Sequence, residues 1–106
     1  MVALTLLVAA SVATAGTVTL GSVRVDPKYQ NDESALFFGA APGEHNVIAV
    51  THGMLPNGYR TVTLHDAAAR VQATAPCAAI DEHTATCLGS LAFVDAGDGN
   101  DAVTVI

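Results

Sequence analysis

The chain has 106 residues, which is enough for one domain at most. Hydrophobic residues make up 51% of it and charged residues 13%, and ten Asp and Glu against four Lys and Arg give a net charge of −6. This acidity excludes the electrostatic footprint of a nucleic-acid-binding protein. The apolar composition excludes a disordered acidic tail, and the shortage of charged helix formers excludes a coiled coil.

Residues 1–15 have the features of a secretory signal peptide. Residues 2–13 are apolar apart from one Thr and one Ser, and the first charged side chain is Arg24. Ala13 and Ala15 form the small-x-small pattern of a cleavage site, so we predict cleavage after Ala15, with Ala13 as the second candidate. The n-region has no Lys or Arg, which favours a start further upstream. A transmembrane anchor is the alternative, but Thr, Gly and Ser residues dilute the segment that follows.

The two cysteines, Cys77 and Cys87, are predicted to pair. An even number of cysteines in an exported chain indicates a disulfide, and only one pairing exists here. The midpoint falls on Glu82, in a turn-compatible stretch next to strand-like residues, so the bridge would close a short hairpin. Such a loop stabilises a small domain by about 2–3 kcal/mol in the chain-entropy account. A redox pair is disfavoured because the spacing is not C-x-x-C.

The remaining chain shows strand periodicity and no helical periodicity. The clearest buried strand is 46–52, and in 59–66 the alternation puts Val62 and Leu64 inward. Further strands are predicted at 17–20, 23–25, 35–38, 70–73, 84–87, 91–94 and 102–106. Short strands at close spacing predict an all-β fold, either a short-stranded sandwich or a β-solenoid cap that leads into the first turn of a parallel β-roll.

Turn and loop residues separate these strands. Gly21-Ser22 is predicted to be a two-residue hairpin turn, because the inward-facing parity changes across it. Residues 28–34 are predicted to form a polar loop, residues 41–44 a turn and residues 53–58 a loop.

The chemically informative stretch is the Asp- and Gly-rich segment 95–104. Gly97 and Gly99 allow a tight turn in which carbonyl oxygens can face a cation, and Asp98 and Asp101 add hard anionic oxygens that suit Ca²⁺. The segment resembles one copy of the calcium-binding nonapeptide G-G-x-G-x-D-x-U-x of repeats-in-toxin (haemolysin-type) proteins. The alternative is an ordinary Asp/Gly-rich turn between two strands.

The resemblance assigns a role to each matching position. Gly97 and Gly99 match the second and third glycines, and Asp101 matches the ligand aspartate. Val103 matches the apolar residue that faces the solenoid core. Ala96 stands where the family has its first glycine, which weakens the case for a carbonyl ligand there.

The order of elements extends the resemblance to nearly all of residues 16–106. They are similar to the amino-terminal region of secreted, actinobacterial-type repeats-in-toxin proteins, which implies a β-rich cap or sandwich region at 16–94 and a single repeat at 95–106. In that family each Ca²⁺ lies between turns of successive coils, so one repeat supplies half a site. The apolar strand 103–106 would leave a sheet edge uncapped, so we expect a fragment of a longer repeat protein.

No other constellation predicts chemistry. The four histidines match no zinc spacing and favour surface or loop positions. His65 and Asp66 are strand neighbours and should point to opposite faces, so they form no catalytic pair.

We therefore expect a secreted, non-catalytic protein with calcium as its cofactor, without nucleic-acid partners and without membrane association in its mature form. Its expected partners are calcium ions and further repeats of a longer parent, or a surface partner. The alternative is a secreted β-sandwich module that binds carbohydrate or a surface partner, with an incidental acidic turn. An enzyme whose catalytic domain lies elsewhere in a longer parent also stays open.

Overall fold

The computed structural model describes residues 15–26, 31–97, 99 and 101–106. These residues form nine β strands and no helix, which confirms the all-β prediction. The strands are β1 (Gly16–Asp26), β2 (Asn31–Gly39), β3 (Val47–Met54), β4 (Arg60–Asp66), β5 (Val71–Ala73), β6 (Ala78–Asp81), β7 (Thr84–Leu88), β8 (Leu91–Asp95) and β9 (Ala102–Val105). The predicted signal peptide lies outside the described residues, apart from Ala15.

The strands form two mixed sheets. The first has the order β5-β1-β2-β8, in which β1 and β2 are antiparallel while β5 and β8 run parallel to their neighbours. The second has the order β6-β7-β4-β3-β9, which is antiparallel except for the parallel pair of β3 and β9. Among the described strands, β8 and β9 therefore each form one edge of their sheet, and β5 and β6 form the opposite edges.

Both sheets contribute to one apolar core, because alternate residues of β1, β2, β3, β4 and β7 face inward. Val62 and Leu64 are fully buried, as the alternation predicts. The other core members include Val18, Leu36, Phe38, Ile48, Val50, Val71 and Ala85.

The predicted hairpin turn at Gly21-Ser22 is wrong. β1 continues through both residues, which pair with Ala35 and Ser34 of β2. A Cβ at Gly21 would collide with the ring of Phe37, so the small residue makes room for an aromatic side chain on the neighbouring strand. Glycine occurs in strands where another group approaches closely as well as in turns, and periodicity alone does not separate the two cases.

Two of the predicted loops are shorter in the structure than in the prediction, and one predicted turn is as expected. The polar loop predicted at 28–34 is shorter, because β2 already begins at Asn31; residues 27–30 lie outside the described part of the chain. The loop predicted at 53–58 begins later, since β3 extends to Met54. The turn at 41–44 is confirmed: the amide of Glu44 donates to the carbonyl of Ala41 at 3.2 Å, and Gly43 has a φ of +70°.

The predicted disulfide is confirmed. Cys77 and Cys87 are bonded, with their Cα atoms 4.4 Å apart, and the described residues include no free cysteine. β6 and β7 form the predicted hairpin, and Glu82 lies in its turn. Both cysteines are buried in the core cluster, so the bridge fixes this hairpin to the domain interior.

Candidate functional site

The predicted calcium-binding turn lies directly on another turn of the chain. Residues 40–46, here called the first turn, connect β2 of the first sheet to β3 of the second; residues 96–101, the second turn, connect β8 to β9 in the same way. β8 pairs in parallel with β2, and β9 pairs in parallel with β3. Backbone hydrogen bonds join the two crossovers at both ends, from Ala40 to Asp95 at 2.9 Å and from Ala102 to Asn46 at 3.0 Å.

Both predicted turn glycines occupy positions that favour glycine. Gly97 has a φ of +73°, and its amide donates to the Asp95 carboxylate at 3.0 Å. Gly99 lies so close to the first turn that a Cβ would collide with the carbonyl oxygen of Glu44. The glycines therefore shape the second turn and allow it to pack on the first.

Asp101, the predicted ligand aspartate, is held by the first turn. Its Oδ1 accepts a hydrogen bond from the amide of Asn46 at 2.8 Å. The side-chain amide of Asn46 donates to Oε1 of Glu44, also at 2.8 Å. One asparagine thus binds a carboxylate from each turn, while Asp98, the other predicted acidic ligand, lies outside the described residues.

The described residues of the two turns do not form a complete set of metal ligands. Carboxylates and backbone carbonyls are the oxygens that Ca²⁺ prefers, in sets of six to eight. Within the described ranges, no group of three or more His, Cys, Asp or Glu side chains is placed to hold a metal ion. A complete calcium site at the second turn therefore needs oxygens from outside the described residues.

A buried polar pair beneath the first turn has no counterpart in the sequence predictions. Asp66 and Asn46 are both fully buried, and the Asn46 side chain donates to Oδ2 of Asp66 at 2.7 Å. Oδ1 of Asp66 accepts three backbone amides, at 3.0–3.2 Å: Val47, Ala68 and Ala69. Asn46 Oδ1 is buried without a hydrogen-bond partner among the described residues. The pair anchors the start of β3 to the end of β4.

Hydrogen bonding keeps Asp66 acidic despite its burial. Burial raises the pKa of this carboxyl, but the bonds from Asn46, Val47, Ala68 and Ala69 together outweigh that effect and hold the pKa below its ordinary value. The sequence signal was an aspartate at a strand end followed by three alanines, a pattern in which the side chain accepts nearby backbone amides. His65, its strand neighbour, is exposed, which confirms that the two side chains point to opposite faces.

Val103 lies on the expected face but is not buried. The parallel register places it beside Ile48 and places Val105 beside Val50, and both partners face the core. Val103 is nevertheless 46% exposed and Val105 67%, because β9 is the outermost described strand of its sheet. The core is therefore open at the β8–β9 end.

The remaining histidines occupy the surface or loops, as expected. His45 and His52 are exposed, and His83 lies in the hairpin turn with Nδ1 2.7 Å from the carbonyl oxygen of Ala69. That geometry indicates a structural role for His83.

No protein family, curated protein or solved structure matches this chain. Within the described residues, there is no helix of the length and hydrophobicity that a membrane crossing requires.

Proposed function

We propose that this chain is the cap of a secreted, non-catalytic calcium-binding protein and that its second turn supplies half of a calcium site. On this proposal residues 1–15 are a signal peptide, the two sheets form a β-sandwich cap, and residues 95–106 begin a parallel β-roll. The observation that carries the proposal is the parallel stacking of β8, the second turn and β9 on β2, the first turn and β3.

This stacking supports a roll because it repeats one path of the chain. Each crossover leaves the first sheet, turns, and enters the second sheet in the same direction, with backbone bonds between corresponding residues. A further crossover added in the same sense would pair with the outer edges of β8 and β9. It would also cover Val103 and Val105, which face inward but are exposed.

The second turn would contribute its carboxylate and carbonyl oxygens to the ion. Asp101 is the anionic ligand in this proposal, with backbone oxygens near Gly97 and Gly99 and the carboxylate of Asp98. When bound, calcium would neutralise the carboxylates of Asp98 and Asp101 in a chain of net charge −6. The hydrogen bond from Asn46 already orients Asp101, which lowers the cost of ordering that ligand.

The test is a calorimetric calcium titration of two proteins: the chain itself, and the same chain followed by three copies of the nonapeptide. Half a site should bind in the millimolar range at best, typical of sparse extracellular sites. The added repeats should tighten binding sharply, because they supply the missing oxygens.

The matched control carries the same three copies with each aspartate replaced by asparagine, so that length and glycine content stay constant. Equal calcium affinity for the chain, the extended protein and this control would contradict the proposal, and the second turn would then be an ordinary acidic turn.

A further inference from the structure

Two adjoining hollows lie at the end of the sheets opposite the stacked turns. They have volumes of about 490 and 420 Å³ and share Arg60 and Ser90 in their walls. The remaining walls of the first hollow come from the start of β2, the β3–β4 loop, and the end of β7 with the link that follows it; those of the second come from the end of β3 and the start of β4. Together they have the size of a site for a small ligand.

The floor of this double hollow is fixed by backbone contacts. The link between β7 and β8 is bonded on both sides, from Gly89 to the carbonyl of Arg60 at 3.0 Å and from Ser90 to the carbonyl of Ser34 at 3.1 Å. A Cβ at Gly89 would lie 2.7 Å from that Ser34 oxygen, so the link packs tightly. This wall of the hollow is therefore held in place by the neighbouring strands.

Tyr59 is the aromatic residue that lines the first hollow. Its residue is 63% exposed, yet its backbone is held on both sides: its amide donates to Asn57 at 3.1 Å, and its carbonyl accepts the amide of Leu55 at 2.8 Å. An exposed ring on a fixed loop offers apolar contact at low entropic cost.

Charged groups of both signs line the same hollow. Asp32 and Glu33 stand on the β2 side; Asp32 is paired with Arg24 at 3.2 Å, and Glu33 accepts the hydroxyl of Ser90 at 2.9 Å. Arg60 forms no ion pair with any described residue, whereas Arg24 and Arg70 each pair with an acid. An unpaired guanidinium in a chain of net charge −6 is a donor available to a ligand.

We propose that the double hollow binds a neutral saccharide, with Tyr59 stacked on a sugar ring and with Arg60 and Glu33 hydrogen-bonded to hydroxyl groups. A sugar ring presents both a C–H face and a polar edge, which matches the mixed wall. A purely apolar ligand would remove the carboxylates from water without replacing their hydrogen bonds. Glu33 and Arg60 carry opposite charges, so an anionic sugar would meet Glu33 and a cationic sugar would meet Arg60. The site is independent of the calcium proposal.

The experiment uses amide NMR of the full chain, titrated to millimolar concentration with neutral oligomers of glucose, N-acetylglucosamine and mannose, and with oligogalacturonate as the acidic counterpart. We expect at least one neutral oligomer to shift the amides of residues 32–34, 58–60 and 88–90, with or without calcium. Tyr59→Ala should weaken that binding by about tenfold while the fold is unchanged.

Ile80→Ala is the matched control, since Ile80 is 62% exposed but lies on β6, away from the hollow. It should leave the affinity unchanged. The proposal is overturned if no neutral oligomer shifts these amides, if oligogalacturonate alone does so, or if Tyr59→Ala and Ile80→Ala bind equally well. None of these results depends on the calcium titration.

Discussion

The backbone amide of Asn46 donates to Oδ1 of Asp101 at 2.8 Å, across 55 residues of sequence. The bond links the end of the first turn to the end of the second, just before β3 and β9 begin their parallel pairing. Asp101 is thus both the proposed calcium ligand and a hydrogen-bond acceptor that links the two crossovers. These roles can be separated, because the hydrogen bond from Asn46 needs only an acceptor oxygen, whereas calcium binding needs a negatively charged carboxylate.

Asp101→Ala should destabilise the domain by about 1–2 kcal/mol, since it removes a charge-assisted bond and leaves a partly buried amide without its acceptor. Asp101→Asn keeps an oxygen at that position and should lose clearly less. Urea unfolding without calcium measures both. Equal stability of the alanine and asparagine variants would show that the bond from Asn46 contributes nothing.

Gly99→Ala should loosen the packing of the second turn. Its Cβ would meet the carbonyl oxygen of Glu44, so backbone must move, at a cost of about 1–3 kcal/mol. Gly39→Ala is the control, because a Cβ there has no heavy atom within 4 Å and the residue has no left-handed φ. Thermal unfolding compares them; a Gly99 variant as stable as the Gly39 variant would argue against tight stacking of the turns.

The pKa of Asp66 predicts a loss of stability in acid. Because the folded-state pKa lies below its ordinary value, the stabilisation is complete above that value and disappears as pH falls through the lowered folded pKa. A carbon-detected NMR titration should place the Asp66 midpoint below 3.8. A midpoint at or above 3.8 would contradict the hydrogen-bond assignment.

Asp66→Asn should make the free energy of unfolding less dependent on pH in the acid range. Asp81→Asn is the comparison: the backbone bond from His83 also lowers the pKa of Asp81, but solvent screens this exposed group, so its effect on the slope should be much smaller. A larger change of slope for the Asp81 variant would reverse this assignment.

Reduction of the Cys77–Cys87 bridge should lower the free energy of unfolding by about 2–3 kcal/mol, mainly because the unfolded chain gains freedom. Urea unfolding with and without reductant measures the loss, and thiol labelling of the unreduced protein should find no free cysteine. The double variant Cys77→Ala/Cys87→Ala should be insensitive to reductant. If reductant changed that variant as much as the natural chain, the effect would come from something other than the bridge.

Local alternation was enough to predict the all-β class and the inward faces of Val62 and Leu64, and the cysteine pair with the turn residues around Glu82 was enough to predict the Cys77–Cys87 hairpin. These features depend on neighbours in sequence. The placement of β8 beside β2 depends on contacts between distant segments, which periodicity does not encode. Gly21 shows the same limit, because its close neighbour is the ring of Phe37 on another strand.

In the candidate site, too, the local features could be predicted from the sequence and the long-range contacts could not. The glycines of the second turn could be assigned from sequence, because turn conformation is local. The contributions of Glu44 and Asn46 could not, since the first turn meets the second only through the stacking of two crossovers. The burial of Asp66 was equally hidden, because Asn46 approaches it from a different strand end.

The central claim, that the second turn is half of a calcium site, is tested most directly by the calcium affinity of the repeat-extended protein carrying Asp101→Asn or Asp98→Asn. Asp101→Asn retains the acceptor for Asn46 but lacks the charge, so a loss of affinity would report on the ion and not on the fold. We predict that calorimetry shows a larger loss for Asp101→Asn than for Asp98→Asn. Unchanged affinity in the Asp101 variant would contradict the account and leave the second turn with a purely structural role.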